Sequence, residues 1–299
     1  MRAKIFITEI NFCIETKDQN KNQKSEFRDY FFINSGFEKL DFRALKHVER
    51  AKRRLPRDLD HDKADKARAR IEDILLQIYK AQGNNTEVVK ILDKQRKRQS
   101  DFDEVVKLWL ERAEFVDDKI GDLQEALEYA QKYSLRVPTA DCFFAFAKHH
   151  VTVEKDFQKG LKYGYDASQI YEEVLGERSK KTISVKVALA KAHLLNDEKS
   201  TALSMLLKSQ KNIEFAFGIV SDEAAENFEL VGSIHLHNGH PDKALKSFNQ
   251  AIEIFSVLNP KHSRLPRLRE LVKSLRNHPD FQADDPQNTT KNRQSFKNY

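Results

Sequence analysis

The residues best placed to do chemistry in this chain are three histidines in the pattern His235-x-His237-x2-His240. Imidazoles this close together invite a zinc site. The stretch around them is helical by periodicity, and side chains two apart on a helix point in divergent directions, so the pair is a poor chelate. His235 also falls where its helix should face the core, and His193 holds the matching place one repeat earlier. A packed, hydrogen-bonded imidazole is therefore expected at both positions. His149-His150 lacks Cys or carboxylate partners at metal spacing. No G-x-S-x-G, P-loop, G-x-G-x-x-G or defensible Cys/His arrangement occurs. The carboxylates alternate with Lys and Arg at helical spacing, as on a solvated face. No catalytic residue, metal, cofactor or small-molecule substrate is expected, and the chain is read as a non-enzyme.

Composition narrows the setting. The 299 residues are 39% hydrophobic and 33% charged, with only nine Gly and seven Pro. So little apolar content suits a thin, repeated core better than one deep one. The 52 basic and 46 acidic residues leave a net charge of +6, a mixed surface that argues against a dedicated nucleic-acid binder. Cys13 and Cys142 are the two cysteines, expected as reduced thiols in the cytoplasm. No run of about 18 apolar residues exists, so no membrane span is expected. The apolar stretch at 5–14 is broken by Glu9 and has no cleavage site after it, so no signal peptide is expected.

The elements that must position these groups are helices. Residues 1–26 stand apart as an N-terminal arm, part strand-like and part polar: a loose extension, or a peptide that docks elsewhere. Helical periodicity begins at Phe27. Helices are expected over 42–55, 64–81 and, after a cap at Thr86, through Val88, Val89, Ile91 and Leu92. Asp101 should cap the next, whose stripe runs from Phe102 through Val105, Val106, Trp109, Leu110 and Ala113 to Val116. Gly121-Asp122 should turn the chain into 123–133. Pairs follow over 139–153 and 157–175, 181–195 and 199–217, and 222–238 and 241–258. A capping helix should cover 261–277 with Pro266 in its first turn, and 278–299 reads as a disordered tail. Between the last pair, Gly239 can take a left-handed cap and Pro241 fits the first helical turn.

Small residues recur where these hairpins would touch. Ala44, Val88, Ala126, Gly160, Ala202 and Ala244 hold one position of the second helix of each pair. The last two intervals, Gly160 to Ala202 and Ala202 to Ala244, are equal at forty-two positions each. Ala190 and Gly232 mark the first helices, and Ala167 matches Ala251. With Phe248, this series resembles the tetratricopeptide repeat: Gly232 matches its small residue in the first helix, and Ala244, Phe248 and Ala251 its A-x3-F-x2-A run. The length of the interval is similar to that of kinesin light chains. The resemblance implies an all-α, right-handed superhelical solenoid of about six helical hairpins over 27–260. It also implies that a partner peptide or protein binds on the concave face, lined by set positions of each first helix. Here these are Leu108, Glu111, Phe115 and Asp118; Cys142, Ala145, His149 and Thr152; Ser184, Val187, Lys191 and Leu194; and Glu226, Glu229, Ser233 and Leu236. In the two earlier sets the small-residue slot falls on Glu114 and Lys148, with Ala113 and Ala147 one place before. The Lys-x3-Asn pair that clamps a C-terminal carboxylate in chaperone co-factors is missing.

The stretch from 202 to 254, with its F-G-x2-S-x-E-x-A-E and L-x-G elements, resembles the tetratricopeptide repeat protein 23 family, associated with cilia. That implies a non-catalytic adaptor or scaffold in the cytoplasm, at a cilium or the cytoskeleton. A second reading uses the basic runs at 50–54, 94–98 and 261–276. Helix macrodipoles favour cations at helix ends, but such runs would also suit an acidic surface such as a microtubule, making the protein a structural component of the axoneme.

Overall fold

The computed structural model describes residues 61–277, together with Leu45, Val48 and Glu49. The expected arm at 1–26, the helix from Phe27, the basic run at 50–54 and the tail at 278–299 lie outside the described residues. Every regular element among the described residues is a helix: α1 (His61–Ala81), α2 (Asn85–Arg98), α3 (Phe102–Arg112), α4 (Lys119–Lys132), α5 (Arg136–His149) with a π turn (His150–Glu154), α6 (Phe157–Leu175), α7 (Lys180–Leu195), α8 (Lys199–Phe217), α9 (Asp222–His237), α10 (Pro241–Leu258) and α11 (Leu265–Arg276). No helix among them is long and apolar enough to cross a membrane. The all-α expectation holds, and successive helices pair as antiparallel hairpins.

The chain divides into two compact units. Of the described residues, the first holds those up to Gln99 and Glu111–Lys119; the second holds Ser100–Leu110 and those from Ile120 on. In the first unit, α1 buries Ile71, Leu75, Leu76 and Ile78, and α2 buries Val88 and Leu92. Gly83 turns the chain at φ +67°. Asn84, not Thr86, caps α2: its Oδ1 accepts from the Glu87 N–H at 3.3 Å. Asn reaches the free amides of the first turn from the residue before the helix, and Thr86 is already inside it. Glu72 is 5% exposed and is held by Lys94 and Arg98 from α2.

In the second unit each helix start has a local cause. Asp101 accepts from the amides of Asp103 and Glu104. Asp156, Ser179 and Ser221 each accept from the amide three residues on, at 3.1–3.2 Å. Pro241 lies in the first turn of α10. Two expectations fail here. The helix from Asp101 stops at Arg112, well short of Val116, and Gly121-Asp122 lies inside α4, which begins two residues earlier at Lys119.

The backbone itself repeats. Lys155, Asp197 and Gly239 all have positive φ, of 59°, 63° and 70°. They are spaced along the chain as Gly160, Ala202 and Ala244 are. Gly176 and Gly218 share the same interval, with φ of 83° and 100°. Packing follows suit. Ala126, Ala167, Ala202, Ala244 and Ala251 are fully buried, and Ala190 and Phe248 nearly or fully so. Small side chains let helix axes approach, and the large ones between them fill the gap at about 1.5–3 kcal/mol for each fully buried Leu or Phe. Two glycines need to be glycine. A Cβ on Gly232 would lie 2.7 Å from the Phe248 ring. A Cβ on Gly160 would collide with the Val151 side chain and lie 3.2 Å from the Ala147 carbonyl. The far end of the unit is closed by α11, whose Leu265, Leu268, Val272 and Leu275 join the core of Ala244, Phe248, Ala251 and Phe255.

One irregularity shifts the register. Glu198 donates its amide to the His193 carbonyl (2.8 Å) and His240 to that of His235 (2.9 Å), each five residues back. In the preceding hairpin Asp156 reaches the His150 carbonyl (2.9 Å), six residues back. The π turn at His150–Glu154 has taken in one extra residue, as such bulges do. His150, rather than Val151, is thus the structural counterpart of His193 and His235.

Candidate functional site

The first helices of the hairpins, α5, α7 and α9, present a face that charged side chains link from one hairpin to the next. Asp141 on α5 pairs with Lys181 on α7 at 2.6 Å. Lys191 on α7 pairs with Glu226 on α9 at 3.3 Å. Arg264, just before α11, holds Glu226 at 2.7 Å and Glu229 at 2.9 Å. The expected positions on α7 and α9 therefore stand side by side. Ser184 is exposed and Lys191 and Glu226 are partly so, while Val187, Leu194 and Leu236 are half-buried against the core beneath. Ser233 gives its hydroxyl to the Glu229 carbonyl. In each pair the cation is more open than the carboxylate, and Asp141 also accepts from the Tyr171 hydroxyl at 2.5 Å.

On α5 the expected set is displaced. Cys142 is fully buried beside Val105, Val106, Trp109 and Ala126, and burial pushes its thiol up to about 12, so it is no surface contact and no nucleophile. Counting back from α6 steps over the extra residue of the π turn and lands one place too far along α5. The helix face is instead made by Asp141, Phe144 and Lys148, with the Lys148 ammonium 4.1 Å from the Phe144 ring centroid. Ala147 takes the small-residue slot against Gly160 and Gly164. Ala145 and His149 are half-buried, and Thr152 sits on the π turn with its hydroxyl on the Lys148 carbonyl.

The earliest set does not form a stripe. Leu108 lies in the second unit, and Glu111, Phe115 and Asp118 in the first. Helix α3 ends at Arg112, so Phe115 and Asp118 lie beyond it. Glu111 is paired with Lys80, whose ammonium also stands 5.5 Å from the Phe115 ring. The sequence missed Asp141, Lys181 and Arg264. Asp141 and Lys148 were signalled by the small residue falling at Ala147, and Arg264 was hidden inside a run of cations.

The histidines resolve into a series. His150 receives Glu154 on Nδ1 at 2.8 Å and stacks on Tyr163, with ring centroids 5.4 Å apart. His193 receives Glu198 on Nδ1 at 2.7 Å and the Tyr165 hydroxyl on Nε2 at 2.8 Å. Hydrogen bonding to the imidazoles holds both glutamates below the usual carboxylate range. His235 is different: its Nδ1 is buried with no partner among the described residues, contrary to the expected hydrogen bond. Burial, with Lys243 and His240 nearby, lowers its affinity for a proton. His240 meets it only edge-on, with ring centroids 6.3 Å apart, and His237 is exposed.

The basic runs are largely committed. Lys94 and Arg98 hold Glu72, and Arg96 holds Asp93. Arg269, Lys273 and Arg276 line a cleft of about 290 Å³ between α10 and α11, with Arg269 on Ser256 and Arg276 on Asn249.

No protein-family model matches the chain. No curated protein matches it by sequence. Solved structures do match by shape. BtubC (BKLC) from P. vanneervenii superposes with a TM-score of 0.56 at 16% identity, over 77% of this chain and 94% of that one. The apo form of RapI gives 0.53 at 16%, over 78% of this chain and 67% of that one. A signal transduction ATPase with numerous domains from Pyrococcus horikoshii, which has a tetratricopeptide repeat sensor, gives 0.54 at 14%, over 78% of this chain and 36% of that one. At such identities the likeness is one of fold, and the fold is that of a tetratricopeptide-type helical array.

Proposed function

We propose that this protein is a non-catalytic interaction scaffold that binds an extended or helical peptide of a protein partner along the face of α5, α7 and α9. The observation that carries this reading is the ladder of exchangeable ion pairs, Asp141–Lys181 and Lys191–Glu226–Arg264–Glu229, which crosses three consecutive hairpins. Such a surface offers both signs of charge, with apolar Phe144, Val187 and Leu236 partly open beside them. A peptide lying across it would meet both signs of charge and exchange with the more open cations, Lys181, Lys191 and Arg264. The setting we favour is the cytoplasm, and a cilium within it; the ciliary part rests on the resemblance of the stretch from 202 to 254 to the tetratricopeptide repeat protein 23 family.

The test is a display selection of random peptides on the full chain, followed by affinities for variants of the face. Lys191→Glu and Arg264→Glu should each weaken selected peptides by about tenfold, since reversing one charge both removes an attraction and adds a repulsion. Peptides indifferent to both substitutions would sink the proposal. The filament reading comes second, because Lys94, Arg96 and Arg98 already hold carboxylates of their own unit. Microtubule co-sedimentation that collapses with added salt would restore it.

A further inference from the structure

We propose a second binding cleft, on the other side of α9, that takes an acidic side chain of an extended peptide between His235 and Lys243. The cleft has a volume of about 230 Å³ and lies between α8 and α10 with α9 as its floor. Leu207 and Gln210 come from α8, Asn227, Phe228, Val231 and His235 from α9, and Lys243, Lys246, Ser247 and Gln250 from α10. None of these is a carboxylate, and neither lysine has an ion pair to any described residue. The residues of the Lys191–Glu226–Arg264–Glu229 ladder do not line it.

Two buried polar atoms here lack partners among the described residues. Asn227 is 1% exposed. Its Nδ2 donates to the Leu206 carbonyl (3.3 Å) and to Gln210 Oε1 (2.5 Å), which fixes the amide and leaves Oδ1 with no donor. His235 Nδ1 is the other. Orphaned buried polar atoms are costly, so a site that keeps two of them in one cleft is suited to a ligand that satisfies both.

The chain itself shows what the slot accepts. At the equivalent nitrogen His150 has Glu154 and His193 has Glu198. His193 is also closed over by Tyr165. One repeat on, Leu207 stands for Tyr165 and His240 for Glu198, so neither the hydroxyl nor the carboxylate has a counterpart here. A carboxylate supplied from outside would sit between His235 and the Lys243 ammonium, a charge-assisted pairing in a partly desolvated place. A peptide backbone N–H beside it would satisfy Asn227 Oδ1, and Leu207 and Phe228 would cover a neighbouring apolar side chain. A peptide carries the acid, the amide donor and the apolar group together, which free carboxylates or phosphate do not.

The experiment uses the full chain and a panel of fluorescein-labelled random nonapeptides with a central Glu, each paired with its central-Gln twin. Binders should lose about tenfold in affinity in the Gln form and about tenfold again with Lys243→Glu. N-methylation at one backbone position should abolish binding. His240→Glu recreates the arrangement at His193, so it should raise Tm and at the same time block the peptides. Lys191→Glu should leave these affinities unchanged, which separates this cleft from the face proposed above. A panel in which no Glu peptide outbinds its Gln twin at about 1 mM would overturn the inference. So would a His240→Glu variant that leaves Tm unchanged or still binds peptide: the cleft would then hold only water.

Discussion

The hairpin of α7 and α8 and the hairpin of α9 and α10 are built on one plan, a single repeat apart, and they differ in how the plan is filled. In the first, Ala190 faces Leu206 in one cluster, and His193 is closed between Glu198 and Tyr165. In the second, Gly232 gives way to the Phe248 ring, and His235 keeps an unpaired nitrogen beside a cleft. Volume has moved from one side of the helix contact to the other: Ala with Leu against Gly with Phe. Polar satisfaction has not been preserved in the same way. Repeats therefore hold packing constant by compensating substitutions, and it is the uncompensated polar position that reads as a place for something else to bind.

A substitution at the helix contact breaks the packing half of that comparison. Alanine is favoured over glycine in a helix by about 1 kcal/mol, but overpacking a buried ring costs about 1–3 kcal/mol. Phe248 is fully buried and has nowhere to swing. Gly232→Ala should thus lower unfolding stability by up to about 2 kcal/mol in chemical denaturation. In a Phe248→Leu background, which reproduces the Ala190–Leu206 arrangement, the same substitution should be neutral or stabilising. A loss of equal size in both backgrounds would mean the two hairpins are not packed alike.

The histidines test the polar half. His193→Ala removes a buried ring with hydrogen bonds on both nitrogens and should cost about 1–3 kcal/mol; His235→Ala should cost distinctly less, because no hydrogen bond to Nδ1 is lost. Acid should sharpen the contrast. The proton affinity of His235 is lowered in the folded chain, so the unfolded chain takes up that proton first. Its contribution is complete above the ordinary histidine value of about 6.5 and is lost as pH falls through the lower folded value. Glu198 is also depressed, so its contribution holds above about 4.3 and is lost only as pH falls below that. Urea midpoints measured from pH 7.5 down to 5 should therefore fall in the wild type and fall less in His235→Ala. An identical pH profile for the two proteins would contradict the assignment.

Much of this was legible in the residues. The bounds of α6 and α8 follow from a turn residue at one end and a glycine at positive φ at the other, and both helices run as the periodicity predicts, Phe157–Leu175 and Lys199–Phe217. The repeat interval could be read because small residues recur with it. The binding face was less legible because it depends on register, and one residue taken into the π turn moves the α5 face from Cys142 to Asp141. Its trace was present in Ala147 standing one place before the expected slot. The cleft at His235 was read as a satisfied histidine because the sequence gives a residue's slot but not its partners; only Leu207 and His240, set against Tyr165 and Glu198, hint that the partners are gone.

The central claim is that a partner lies along α7 and α9, and photo-cross-linking tests it most directly. A photoreactive side chain placed in turn at Ser184 and Ser233, and at the exposed Lys162 and Gln169 on α6, would be activated in cells that express the full chain. The account predicts one shared protein adduct from Ser184 and Ser233 and none of that mass from α6. Adducts from α6 alone, or different partners from the two serines, would contradict it.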